Sequence, residues 1–100
     1  MISLKPIVIE GMTFMGTSVE LPKTTLLAIS SDKGYVMCGA LDIGLLNERL
    51  TGRRILAGRA VGVRTLEELL DSVLESVTHE AECAGISKGM PVREALLKMV

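Results

Sequence analysis

Leu26, Leu27, Ala28 and Ile29 follow one another without a polar break, and Tyr35, Val36, Met37 and Cys38 repeat the pattern soon after. Successive side chains of a strand point to opposite faces, so each run is apolar above and below. Ser31-Asp32-Lys33-Gly34 stands between the two runs, suits a type I turn closed by a left-handed glycine, and makes them a hairpin over 24–30 and 35–41. A sheet containing such strands needs cover on both faces. One chain of 100 residues is a single domain with one core, and once its helices lie on one face it has little left for the other. A second copy of the chain is the economical cover.

Upstream of that hairpin, Leu4 to Ile9 reads as a first strand, with Pro6 tolerable only near an edge or a strand start. Glu10-Gly11 offers a tight turn, and Met12 to Leu21 reads as a second strand in which Gly16 marks a bulge or a close backbone approach. Asp42 is placed to cap a short helix over 43–50, and Arg53 to Val61 returns to an extended conformation. Thr65, with Glu68 three residues on, makes a capping box. Leu66, Leu69, Leu70, Val73, Leu74, Val77, Ala81 and Ala84 then recur at helical spacing, which predicts one long amphipathic helix stopped at Gly85. Pro91 opens a last short helix with Val92, Ala95, Leu96 and Met99 inward. Strands first and helices last is the order of an α+β fold: a mostly antiparallel sheet of about five strands, packed by a long helix and two short ones. Within the single domain, residues 1–41 form a β-rich oligomerisation region and 42–100 supply a short helix, a strand and two C-terminal helices.

Composition narrows the partners. Eleven basic and 12 acidic residues leave a net charge of -1, which gives no general attraction to nucleic acid or anionic lipid. Aromatic residues are 2 % of the chain, too few for base-stacking platforms. The apolar share is 48 % and the mean hydropathy +0.42, yet no run reaches the 18 or so residues of a membrane span. Apolar residues in excess without such a span belong at a subunit interface. Met1 to Ile9 lacks the pattern of a secretion signal, and Cys38 and Cys83 make no disulfide framework. A cytoplasmic protein with reduced thiols is expected.

Three stretches carry a family resemblance: Gly34-Tyr35-Val36-Met37-Cys38-Gly39; Ala60-Val61-Gly62-Val63-Arg64-Thr65 leading into Leu69-Leu70; and Gly85-Ile86-Ser87-Lys88-Gly89-Met90. On these the chain resembles the YunC-like family, small bacterial and archaeal proteins described as a domain of unknown function. The resemblance implies an N-terminal β-region that mediates tetramer formation. It carries no established activity and no catalytic residues. The interface is expected at Ile7, Val8, Ile9, Met12 and Phe14 of the first two strands.

Candidate chemistry is sparse. Cys38, at a strand end before a capped helix, is the candidate nucleophile, and His79, the one histidine, its candidate base; the competing reading of Cys38 is a small buried hydrophobe. His79 and Cys83 share a helix face and could contribute two ligands to a metal, with Glu80 or Glu82 as a third, but two ligands are not a site. Arg49, Arg53, Arg54, Arg59 and Arg64 cluster among glycines, and Arg53, Arg54, Arg59 and Arg64 with Thr65 form a candidate anion site; structural ion pairs with Glu48, Glu67 and Glu68 are the alternative. Asp42 has a sufficient role as a helix cap, and the methionines fill core or interface. No cofactor is expected. The favoured reading is a non-enzymatic homo-oligomeric assembly or interaction module. A binder of small anionic metabolites at a subunit boundary and a cysteine-dependent enzyme follow behind it.

Overall fold

The sheet begins at a hairpin whose two turn residues, Glu10 and Gly11, both have positive φ (49° and 81°), the geometry that matches the twist of paired strands. It joins β1 (Ile2–Ile9) to β2 (Met12–Leu21) in antiparallel register, Ile2 opposite Val19 and Ile9 opposite Met12. Pro22-Lys23 turns the chain into β3 (Thr24–Ser30), and β4 (Gly34–Met37) follows antiparallel to it. β5 (Leu56–Arg59) lies parallel to β4, and β6 (Ser76–Val77) closes the far side antiparallel to β5, giving the order β1-β2-β3-β4-β5-β6. The structure, a computed structural model, describes residues 1–39 and 55–100. The expected helix over 43–50, its cap Asp42, and Glu48, Arg49, Arg53 and Arg54 lie outside the described residues.

At the β3–β4 turn the Ser31 hydroxyl accepts hydrogen bonds from the Lys33 and Gly34 amides (3.2 and 3.1 Å), but Gly34 is not left-handed as the sequence suggested. It is a glycine for a different reason. A Cβ there would run into the carbonyl oxygen of Leu56, its register partner on β5. At Gly16 the close approach expected from the sequence is present without a bulge: a Cβ would stand 2.7 Å from Ile7 Cδ1 and 3.0 Å from Leu66 Cδ1. The bare backbone there lets the first helix settle on the sheet.

The long helix predicted from Thr65 onward is instead two short ones, α1 (Leu66–Leu70) and α2 (His79–Cys83), with β6 between them. The intervening segment is drawn into sheet-like pairing. The Leu74 amide donates to Met90 O (2.9 Å), the Glu75 amide to Arg59 O (2.7 Å) and the Thr78 amide to Ala57 O (3.0 Å). Ser72, Val73, Ser76, Val77 and Thr78 are poor helix formers, so backbone partners offered by β5 outcompete helical ones. Thr78 then starts α2. Its hydroxyl accepts from the Ala81 amide (3.2 Å) and the Ala57 amide (3.2 Å) and donates to Ile55 O (2.7 Å).

Both ends of the predicted helix are where the sequence put them. Thr65 accepts from the Glu68 amide at 3.1 Å, while Glu68 Oε1 reaches back to the Arg64 amide at 2.7 Å. Gly85 (φ 87°) ends α2 with bonds from the Gly85 amide to Glu82 O and from the Ile86 amide to Ala81 O, the paired C-terminal motif that a left-handed glycine permits. The last helix, α3 (Val92–Leu97), starts at Pro91 and buries Val92, Ala95 and Leu96, with Met99 buried just beyond it.

The three helices of the described residues lie on one side of the sheet. Phe14, Leu27, Ile29 and Val36 point to them and meet Leu69, Leu74, Ile86 and Leu96 in one core. Ion pairs fasten its rim: Lys5 on β1 to Glu67 on α1 (3.0 Å), and Arg93 on α3 to Asp71 (2.8 Å). The Lys5 ammonium beside Glu67 holds that carboxyl below its ordinary range.

Candidate functional site

The other side of the sheet is the unusual surface. Alternation along each strand, tied together by the register, assigns it Ile2, Leu4, Pro6 and Val8 from β1 and Thr13, Met15, Thr17, Val19 and Leu21 from β2. β3 adds Thr24, Leu26, Ala28 and Ser30, and β4 adds Tyr35 and Met37. From β1 through β4 not one charged side chain points that way. Charges on these strands, Lys5 and Glu20, alternate onto the helix side. Ile2, Leu4 and Val8 are 71 %, 66 % and 65 % exposed, a large apolar patch of the kind that marks a contact surface.

The edge of the sheet is built differently. Met1 and Glu20 exchange backbone hydrogen bonds (2.8 and 3.5 Å), so in an antiparallel ladder the amides and carbonyls of Ile2, Leu4, Pro6 and Val8 face away from β2. Pro6 therefore costs the β1–β2 pairing nothing and leaves a missing donor in the middle of the free edge. Proline at that position guards an edge against strand addition.

Of the residues predicted for an interface, Val8 lies on the open face. Phe14 and Ile9 are buried in the chain's own core and Ile7 packs against it. Met12 is partly exposed on the helix side, beside a cleft of about 400 Å³ that also borders Phe14, Ser31 and Met99. A partner resting on the open face meets Ile2, Leu4, Met15 and Leu21 instead. The signal was in the sequence: apolar residues hold every even position of β1, and the strand's parity separates them from Ile7 and Ile9.

Cys38 is 6 % exposed. Its Sγ accepts from the Leu27 amide (3.4 Å) and donates to Thr25 O (3.9 Å), contacts of a thiol fitted into strand neighbours. His79 and Cys83 open and close α2 on its exposed side. Among the described residues no three His, Cys, Asp or Glu side chains gather where they could hold a metal ion. Both cysteines are free thiols.

The candidate anion residues divide. Arg59 belongs to β5, where its guanidinium stands 3.8 Å from Glu75 and its buried Nε has no hydrogen-bond partner. Thr65 is engaged in capping α1. Arg64 lines a separate groove of about 350 Å³ with Lys23, Thr24, Thr25 and Val63. Lys23 was not among the sequence candidates, because nothing in the local pattern places the β2–β3 turn beside residue 64.

Comparison with known proteins fits this architecture. A family described as "Domain of unknown function (DUF1805)" matches residues 37–99. The chain belongs to this family. The uncharacterized protein YunC of Bacillus subtilis (strain 168) is 60 % identical over 100 residues, covering 100 % of this chain and 99 % of that protein. A crystal structure of a protein of unknown function from Thermoplasma acidophilum, TA1206, superposes with a TM-score of 0.89 at 31 % identity, over 100 % of this chain and 94 % of that one. The YunC-like resemblance read from the three sequence stretches is thus established. The strands β1 to β3, which carry most of the open face, precede the stretch matched by the family description. Among the described residues no helix is long and apolar enough to cross a membrane.

Proposed function

We propose that this protein is a cytosolic, non-enzymatic assembly module whose first 41 residues bring copies of the chain together, with a tetramer as the end state. The uncharged open face of β1 to β4 carries this reading. A second copy suits it because two uncharged surfaces meet without repulsion and without stranding an ion, whereas a charged partner would lose hydration and gain no counter-charge. The proline in the β1 edge favours association through the face over strand addition. A tetramer built from two-fold pairs needs a second, different contact, and the cleft beside Met12, where Phe14 and Met99 stand beside Asp32 and Lys33, is a candidate for it. The free thiols suit a reducing compartment.

Sedimentation velocity tests the reading directly. The wild-type chain is expected at a multiple of 10.7 kDa. Leu4→Asp is expected to shift it toward the single-chain mass, since burying an unpaired charge costs about 3–5 kcal/mol, roughly a hundredfold to several-thousandfold in association. Leu4 is largely exposed in the isolated chain, so the variant keeps its fold, visible as an unchanged far-UV spectrum. A wild-type chain that sediments as a monomer at high concentration defeats the proposal.

A further inference from the structure

Lys23 and Arg64 reach the same groove from distant parts of the chain, one from the β2–β3 turn and the other from the loop before α1. Among the described arginines, Arg59 and Arg93 each face a carboxylate, whereas Arg64 faces none, and Lys23 forms no ion pair either. Two cations lining one groove, neither of them in an ion pair among the described residues, favour an anion there. Among the described residues the groove's other walls are Thr24, Thr25 and Val63, which offer hydroxyl donors and no carboxylate. Of the described acids close by in the fold, Glu68 accepts the Arg64 amide through Oε1 at 2.7 Å, and Glu20, opposite Thr25 in register, is not among the lining residues.

The backbone at Lys23 points the same way. Its φ is 65°, a left-handed conformation that costs a residue with a Cβ about 1–2 kcal/mol. After Pro22 this is the position where a tight turn takes glycine or asparagine. The turn alone would be better made by either, so the ammonium group is kept at a cost.

We propose that this groove is a binding site for the phosphate group of a small phosphorylated molecule, held by the Arg64 fork, the Lys23 ammonium and the threonine hydroxyls. Donors arriving from both banks suit a tetrahedral group with acceptors in several directions better than a planar carboxylate, whose acceptors lie in one plane. A volume of about 350 Å³ takes the phosphate and a body of modest size. The site is independent of the assembly proposed above and stands or falls separately.

The experiment is a titration of the ¹⁵N-labelled wild-type protein with sodium phosphate, against sodium chloride at matched ionic strength and pH, followed by amide shifts. Saturable movement of the amides of Lys23–Thr25 and Val63–Thr65 is expected. Arg64→Ala and Lys23→Gly should each weaken the apparent affinity by roughly fivefold to tenfold. Both variants should keep a dispersed spectrum, because Arg64 is exposed and glycine suits the turn. A response no different from chloride overturns the proposal, as does an affinity that neither substitution changes. Acetate saturating the same amides as tightly as phosphate overturns the assignment to phosphate.

Discussion

Gly16 and Gly34 show that one residue type can answer two different demands. At Gly16 the first atoms an added methyl meets are the tips of the Ile7 and Leu66 side chains, which can swing aside. At Gly34 the obstacle is a backbone carbonyl of the neighbouring strand, which moves only if β4 and β5 part. Gly16→Ala should therefore cost about 1 kcal/mol, and Gly34→Ala more than about 2 kcal/mol. Urea unfolding of the two variants side by side checks the order, and equal midpoints would show that the sheet yields where it is expected to be stiff. The sequence marked both glycines as special but misassigned Gly34, since a turn glycine and a glycine under a crossing backbone look alike until the parallel partner strand is placed.

Between Thr65 and Gly85 the apolar spacing fits a helix, and both terminal signals formed as written, yet the middle is a strand. Leu69, Leu74 and Ala81 are buried in either conformation, so the periodicity could not discriminate. Beside the backbone pairing with β5, Thr78 holds the break: its hydroxyl joins backbone groups of Ile55, of Ala57 in β5 and of Ala81 in α2. Replacing it with the isosteric valine leaves the Ala57 and Ala81 amides and the Ile55 carbonyl short of a partner. Thr78→Val should lose about 1–3 kcal/mol and Thr78→Ser much less, as read from thermal or urea unfolding; a valine variant as stable as the wild type would show that the hydroxyl is not what holds the segment. A hydroxyl and β-branched cluster inside a predicted helix was the available warning, and it was outweighed by the regular leucines.

For the whole molecule, the division of β1 to β4 into one face covered by the described helices and one exposed face sets how association should respond to solution conditions. An interface without charges has little to lose to screening, whereas ion-paired contacts weaken within the Debye length of about 3 Å reached at 1 M salt. The sedimenting mass of the wild-type protein should be the same at 0.1 and 1 M sodium chloride. Dissociation at the higher salt would relocate the contact to the charged rim of Lys5, Glu67, Asp71 and Arg93. The opposite response is expected at the Lys23–Arg64 groove, where phosphate binding should fade as salt rises, so the two surfaces can be separated in one set of buffers.

By itself the sequence determined the α+β order, the first three strands and the turn at Glu10-Gly11, the caps at Thr65 and Gly85, the last helix, and strands apolar on both faces. These follow from local rules: side-chain alternation, turn conformations that few residues tolerate, and hydrogen bonds between near neighbours. Tertiary structure alone decided that β5 lies parallel to β4, that Ser76–Val77 becomes a strand, which of the two sets that parity separates in β1 meets the helices, and that Lys23 and Arg64 line one groove. Each of those depends on contacts between residues far apart in the chain, whose energies exceed the local preferences they override and leave no periodic trace in the sequence.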